Sequence, residues 1–149
     1  MNLLTYNEFQ KLVRFADSTN DDKFLKFLKS SEETYLRDLI GQGMVDKLKG
    51  GDYSELMSLV KECLSLNIEV MFIETAKITV TGEGAITRSS DYTHKGNFAD
   101  KEMLRKATIK LLQSYEVRLI KEIEAGDYEE WNKSKKVSSK GVFNIIDVG

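Results

Sequence analysis

The sequence predicts a mostly α protein: a four- to five-helix bundle with a long loop and an extended C-terminal arm. Three observations predict it. Apolar residues recur at helical spacing through most of the first 131 residues. Residues 82–99 form the one long stretch without that spacing. Beyond a lysine-rich run, the chain closes on Val142-Phe143-Asn144-Ile145-Ile146-Asp147-Val148, which is apolar and strand-prone. Two segments follow from this: a helical domain over 1–131, then a basic spacer and extended arm over 132–149.

A first helix is predicted over about residues 6–17. Thr5 and Glu8 have the spacing of a capping box, and Tyr6, Phe9, Leu12, Val13 and Ala16 supply an apolar face. Ser18-Thr19-Asn20-Asp21-Asp22 breaks it, because these side chains compete for backbone hydrogen bonds. A second helix starts near Asp22 and reaches Ile40. Ser30 and Glu33 repeat the capping-box spacing, so this stretch reads as one helix or two. Gly41 reads as a terminating glycine that tolerates positive φ. Met44, Val45 and Leu48 continue as a short helix that stops at Gly50-Gly51.

The third long helix opens at Tyr53 or Ser54. From Leu64 to Phe72 the pattern fits two periods. Leu64, Leu66, Ile68, Val70 and Phe72 alternate as in a strand, while Leu64, Ile68, Met71 and Phe72 fit a helix. No turn cluster interrupts the segment before Gly82, which favours one long buried helix. The β-branched run Ile78-Thr79-Val80-Thr81 reads as a short extended piece at its end. After the loop, a last helix is predicted from Lys101 to Ala125. Asp100 is its expected N-cap, its stripe is Leu104, Ala107, Leu111, Leu112, Tyr115, Leu119 and Ile123, and Gly126 ends it.

Composition narrows function. The 149 residues suit one domain, with 41% hydrophobic and 31% charged residues. A net charge of −2 gives global nucleic-acid binding no support. Cys63 is the one cysteine, which forbids an intrachain disulfide and suits a reducing compartment. The N-terminus does not read as a signal peptide, and no apolar run approaches the ~18 residues of a membrane span, so no membrane partner is expected.

The residues that carry chemistry are sparse. His94 is the one histidine, which removes paired-histidine metal motifs. Cys63 falls on an apolar helix face, where a buried cysteine is far commoner than a nucleophile. Gly82-Glu83-Gly84 lacks the Gly-Lys-Ser/Thr ending of a phosphate loop. Asp91, Glu83 and Asp100 are neighbours only in sequence. No catalytic residue, cofactor or metal is expected, and assembly or binding is the expected role. Candidate contacts with other subunits or partners are Ile86, Arg88, Tyr92, His94, Lys95 and Phe98 in the loop, and Val142, Phe143, Ile145 and Ile146 in the arm. The arm either folds back on its own domain or adds a strand to a neighbour. An alternative role is a helix-turn-helix DNA-binding regulator pivoting on Gly41, although only Lys47 and Lys49 would equip its second helix.

The order of parts also carries a resemblance. A capped early helix precedes Phe24-Leu25-Lys26-Phe27-Leu28 and Glu33-Thr34-Tyr35-Leu36-Arg37-Asp38-Leu39-Ile40-Gly41. Met44-Val45-Asp46-Lys47-Leu48, a long central helix and Thr79-Val80-Thr81-Gly82-Glu83-Gly84-Ala85-Ile86 follow. The last helix ends in Tyr115-Glu116-Val117-Arg118-Leu119-Ile120, and Asp127-Tyr128-Glu129-Glu130-Trp131 closes the series. Over roughly residues 5–131 the chain resembles the small helical head–tail connector (adaptor) proteins of tailed phages and prophages, especially those of Bacteroidetes-type hosts. The resemblance implies a structural virion protein, assembled in the host cytoplasm, that forms a homo-oligomeric ring. Its partners would be the portal protein and the next tail or connector protein. DNA would pass through the lumen without specific binding, which a near-neutral subunit permits. No catalytic residue or cofactor is implied.

Overall fold

A computed structural model describes residues 2–14, 19–75, 78–81, 84–87 and 98–132, the strands and residues 98–99 by their backbone alone. The architecture is mostly helical.

Helix α1 spans Tyr6–Leu12, and its capping box is formed: Glu8 N–H donates to Thr5 Oγ1 while Thr5 N–H donates to Glu8 Oε1. The helix is shorter than its apolar spacing suggests. Val13 is extended, and the next amide, Arg14 N–H, donates 3.1 Å to the buried carboxylate of Glu69. A tertiary acceptor thus takes the backbone out of the helix.

Helix α2 spans Asp21–Ser30, with Asn20 capping the Lys23 amide at 2.8 Å. It continues without a break through a π-helical stretch, Ser31–Leu36, into α3, Arg37–Ile40. The second capping box is not made: Ser30 is helical and its side chain caps nothing. The wider π turn is a local adjustment that re-aims side chains. Here Ser31, Glu32 and Leu36 all face the interior. Ser31 Oγ accepts from Asn67 Nδ2 at 2.7 Å, and Glu32 accepts from the Leu3 amide at 2.8 Å. These bonds hold the chain helical where the local motif would have started a new helix.

Gly41 has φ 90 and ψ 150, a backbone that a residue with a Cβ rarely adopts. It ends α3 and opens α4, Gln42–Lys49, which buries Met44, Val45 and Leu48. After Gly50-Gly51, Tyr53 takes a left-handed backbone, φ 58 and ψ 43, uncommon for a bulky residue. Its ring stacks edge-on to Tyr128 at 4.7 Å and its hydroxyl donates to Glu130 at 2.8 Å, interactions that hold the turn. A 3-10 turn, Ser54–Leu56, leads into α5, Met57–Thr75. Leu64 through Phe72 therefore belongs to a helix. Val60, Cys63, Leu64, Leu66, Ile68 and Phe72 are all buried, and from Leu64 to Phe72 no residue is exposed, so no wet face betrays the period of that stretch.

Strands β1, Ile78–Thr81, and β2, Gly84–Thr87, form an antiparallel hairpin in which Ile78 pairs with Thr87 and Thr81 with Gly84. The extended piece expected at Ile78–Thr81 is present. The long loop is shorter than expected at both ends, because β2 takes 84–87 and helix α6 begins at Phe98 and runs to Ala125. Asp100 is consequently inside the first turn rather than the N-cap. A carboxylate is favoured there by the helix dipole.

Helix α6 runs antiparallel to α5. Lys101 and Arg105 bond to Glu74 at the end of α5, and Tyr128, just past α6, bonds to Glu55 at its start. The buried seam of α6 is Thr108, Leu112, Leu119 and Ile123; Ala107 is exposed, while Leu104 and Leu111 sit on the rim. Thr108 escapes an apolar count, yet its hydroxyl donates to Leu104 O at 2.7 Å and so enters the seam satisfied. At Gly126 a Cβ would lie 2.4 Å from the Tyr128 ring, so only glycine lets the tyrosine fold back over the helix end.

Phe9 packs on Phe24 at 5.2 Å and on Phe72 at 5.7 Å, and Phe27 meets Phe72 edge-on at 4.9 Å. This aromatic cluster ties α1, α2 and α5 together.

Leu119→Ala is expected to destabilise by about 2–5 kcal/mol, and Leu111→Ala on the rim by clearly less, in denaturant unfolding. Equal losses would place both in the same layer. Gly41→Val is expected to lower the thermal midpoint, because valine fits poorly at φ 90.

Candidate functional site

The densest polar chemistry lies where α1, the π stretch, α5 and α6 meet. Tyr35 Oη donates to Glu116 Oε2 at 2.5 Å, bridging the π stretch to α6. Burial raises the Tyr35 phenol far above its usual range, assisted by the nearby Cys63 and Glu116. Burial likewise pushes the Cys63 thiol up to about 12, with the Glu116 charge adding to it. Cys63 is fully buried and stays a protonated thiol at neutral pH, the opposite of an activated cysteine.

Beside this pair, Arg14 joins three elements. Its guanidinium contacts Glu62 on α5 at 3.3 Å and Tyr115 Oη on α6 at 3.4 Å, while its amide holds Glu69. Arg118 lies 5.0 Å from the Tyr115 ring centre. Glu69 is the buried charge of this set, and it persists because the Arg14 amide donates to it. The Arg14 contacts on the partly exposed rim link α5 to α6.

A second buried carboxylate, Glu32, is 3% exposed and pairs with Lys49 Nζ at 3.1 Å besides accepting from Leu3. Lys47 pairs with Asp52 at 3.9 Å. Both lysines on which a helix-turn-helix at Gly41 would depend are thus engaged within the chain. Among the described residues, no group of three or more His, Cys, Asp or Glu is placed to hold a metal ion.

Of the residues singled out from sequence, Ile86 lies in β2 opposite Thr79, and Phe98 is the first residue of α6. Arg88, Tyr92, His94, Lys95, Val142, Phe143, Ile145 and Ile146 lie outside the described residues, as does Asp91. The structure adds residues that the sequence did not flag: Tyr35, Glu116, Arg14 and Glu69. Their partners are 48 to 101 positions away, so no local motif announces them.

Comparison of the chain with protein-family models, with curated proteins and with solved structures gave no match in any of the three.

Two further tyrosines are tuned at the far end of α6. The hydrogen bond to Glu130 comes first in raising Tyr53 to about 12, with burial adding to it; burial comes first for Tyr128, also about 12, followed by its bond to Glu55. Cys63, Tyr53 and Tyr128 all bind their protons more tightly when folded. Their contribution to stability is complete below the ordinary values of 9.0 for the thiol and 10.0 for the phenols, and it is lost as pH rises to about 12. Melting temperature is therefore expected to fall steadily from about pH 9 to 12. Glu130→Gln is expected to bring Tyr53 ionisation, followed by phenolate absorbance, to lower pH. An unchanged titration would show that Glu130 does not hold the phenol. Cys63 is expected to resist thiol reagents at pH 7 until the protein is unfolded.

Proposed function

We propose that this chain is a structural subunit that joins copies of itself into a ring connecting the portal of a phage head to the tail. The observation that carries the reading is the hairpin set between the two longest helices. Its segment, Thr79–Ile86, is part of the stretch that resembles the connector proteins. A two-stranded sheet has an open edge on each strand and is marginal by itself, so it is suited to pairing with a partner. The Tyr35–Gly41 element of the same resemblance closes the long second helix on a positive-φ glycine. Among the described residues no helix is long and apolar enough to cross a membrane, which fits a partner set of protein subunits. The partners in this reading are neighbouring copies, the portal and the next tail component. DNA passes the lumen of a subunit whose net charge is −2 without being held. The residues that would make these contacts are Ile86 and Phe98 together with the loop and arm positions named from sequence.

Peptide mass spectrometry of nuclease-treated, gradient-purified particles is expected to find the chain at a fixed ratio to portal. Its absence from particles that contain portal and tail proteins would overturn the proposal. Deleting residues 141–149 is expected to leave helicity unchanged and to impair assembly; normal particles from the truncated chain would remove the arm from the interface.

A further inference from the structure

Charge along α6 is sorted by position. Between Met103 and Lys121 the helix holds one carboxylate, Glu116, and that one is turned inward to Tyr35. The outer face of the same span carries Lys106, Lys110, Arg118 and Lys121, all exposed, and none of them makes an ion pair among the described residues. Lys110 lies on one line with Met103 and Val117, seven residues to either side. Those two are 70% and 53% exposed, two of the three large hydrophobics left open among the described residues.

The end of α6 has the opposite character. Glu122, Glu124, Asp127, Glu129 and Glu130 follow within nine positions with no basic residue between them, and the last turn of the helix carries no cation. Asp52 and Glu55 reach the same end from the turn before α5, where Tyr53 and Tyr128 hold Glu130 and Glu55. Carboxylates at a helix C-terminus oppose the helix dipole, which favours cations there. An isolated subunit thus holds a charge arrangement that its own helix disfavours.

Where the two regions meet they adjoin, with Arg118 one turn from Glu122 and Lys121 next to it, but Lys106 and Lys110 lie far from the acidic end of their own molecule. Lys106 and Asp127 are 21 positions apart along a nearly continuous helix, about 30 Å at 1.5 Å per residue, several screening lengths at physiological salt. In a second copy the separation is no obstacle.

We infer that the outer face of α6, Met103 to Lys121, docks on the acidic end of a second copy around Asp127 and Glu129. The two surfaces differ, so the contact is head-to-tail and repeats from copy to copy, as ring or filament contacts do. Lys106 and Lys110 supply the charge match, and Met103 and Val117 supply apolar area beside them. The face is about 27 Å long and ~10 Å wide, roughly 300 Å² on each partner, well under a standard interface. Association in free solution is therefore weak and salt-sensitive, and it strengthens when several contacts close together. This contact deepens the ring reading but needs only this chain, so its test is independent of whether the ring belongs to a particle.

The test is sedimentation equilibrium of the purified full chain up to about 1 mM. At low salt the average mass is expected to rise with concentration, and at ~0.5 M salt to return to that of the monomer. Lys106→Glu with Lys110→Glu is expected to weaken association at least tenfold, and Asp127→Lys with Glu129→Lys to do the same. An equimolar mixture of the two reversed proteins is expected to associate again, because each opposed pair of faces is then of opposite sign. Melting curves check that both variants remain folded; Lys106→Gln with Lys110→Gln serves if the reversal does not fold. Zero-length carbodiimide cross-linking of isotopically heavy and light copies is expected to join Lys106 or Lys110 of one to Asp127 or Glu129 of the other. A chain that stays monomeric at low salt, an association indifferent to either reversal, or a mixture that fails to regain it would each overturn the inference.

Discussion

The structure depends on the burial of the middle of α5. From Leu64 to Phe72 no residue of this 19-residue helix is exposed, so that stretch must be covered by its neighbours. Helix α6 runs along it in the opposite direction, the π stretch and α2 cover a second side, and α1 closes a third through Phe9 and Phe72. The shorter elements then follow. Helix α4 turns back at Gly41 to bury Met44, Val45 and Leu48, and Leu3 and Leu4 tuck in from the N-terminus.

Covering a helix that also carries Asn67 and Glu69 requires polar partners at defined places. Glu69 draws the Arg14 amide out of α1, Asn67 meets Ser31, and Cys63 lies beside the Tyr35–Glu116 bond. The π stretch belongs to the same solution, since Ser31, Glu32 and Leu36 lie along it and are all buried. An unpaired buried polar group is expensive, so these pairings specify one arrangement of helices over its near neighbours. The chemistry in this interior is that of a frame. Its buried acids, Glu32 and Glu69, accept hydrogen bonds, its thiol is protonated, and among the described residues the Ser65 hydroxyl alone is buried without a partner.

Contact with other molecules is therefore read on the outside. Among the described residues the hairpin pairs with no further strand, and α6 presents a basic outer face beside an acidic end. Both features suit a subunit that repeats head-to-tail. A net charge of −2 hides this sorting, because charges as far apart as Lys106 and Asp127, about 30 Å, cancel in a sum but not in space.

Much of the local structure was legible in the residues. The Thr5–Glu8 capping box, the Gly41 stop, the short helix ending at Gly50-Gly51 and the extended Ile78–Thr81 all rest on neighbours within a few positions. The sequence by itself determined the helical class and the identity of the long helices, since apolar spacing is a property of the local chain. It left the period of Leu64–Phe72 double, because no residue of that stretch is exposed to mark a wet face. Tertiary structure alone decided that Ser30 does not start a new helix, that α1 stops at Leu12 and that Thr108 rather than Ala107 enters the seam. In the first two cases the deciding bond comes from another helix: Asn67 reaches Ser31 across 36 positions and Glu69 reaches Arg14 across 55. At Thr108 packing against the neighbouring helices sets the face, and the bond to Leu104 O only satisfies the hydroxyl there. Pairings and packing of that kind exist only once the helices are side by side.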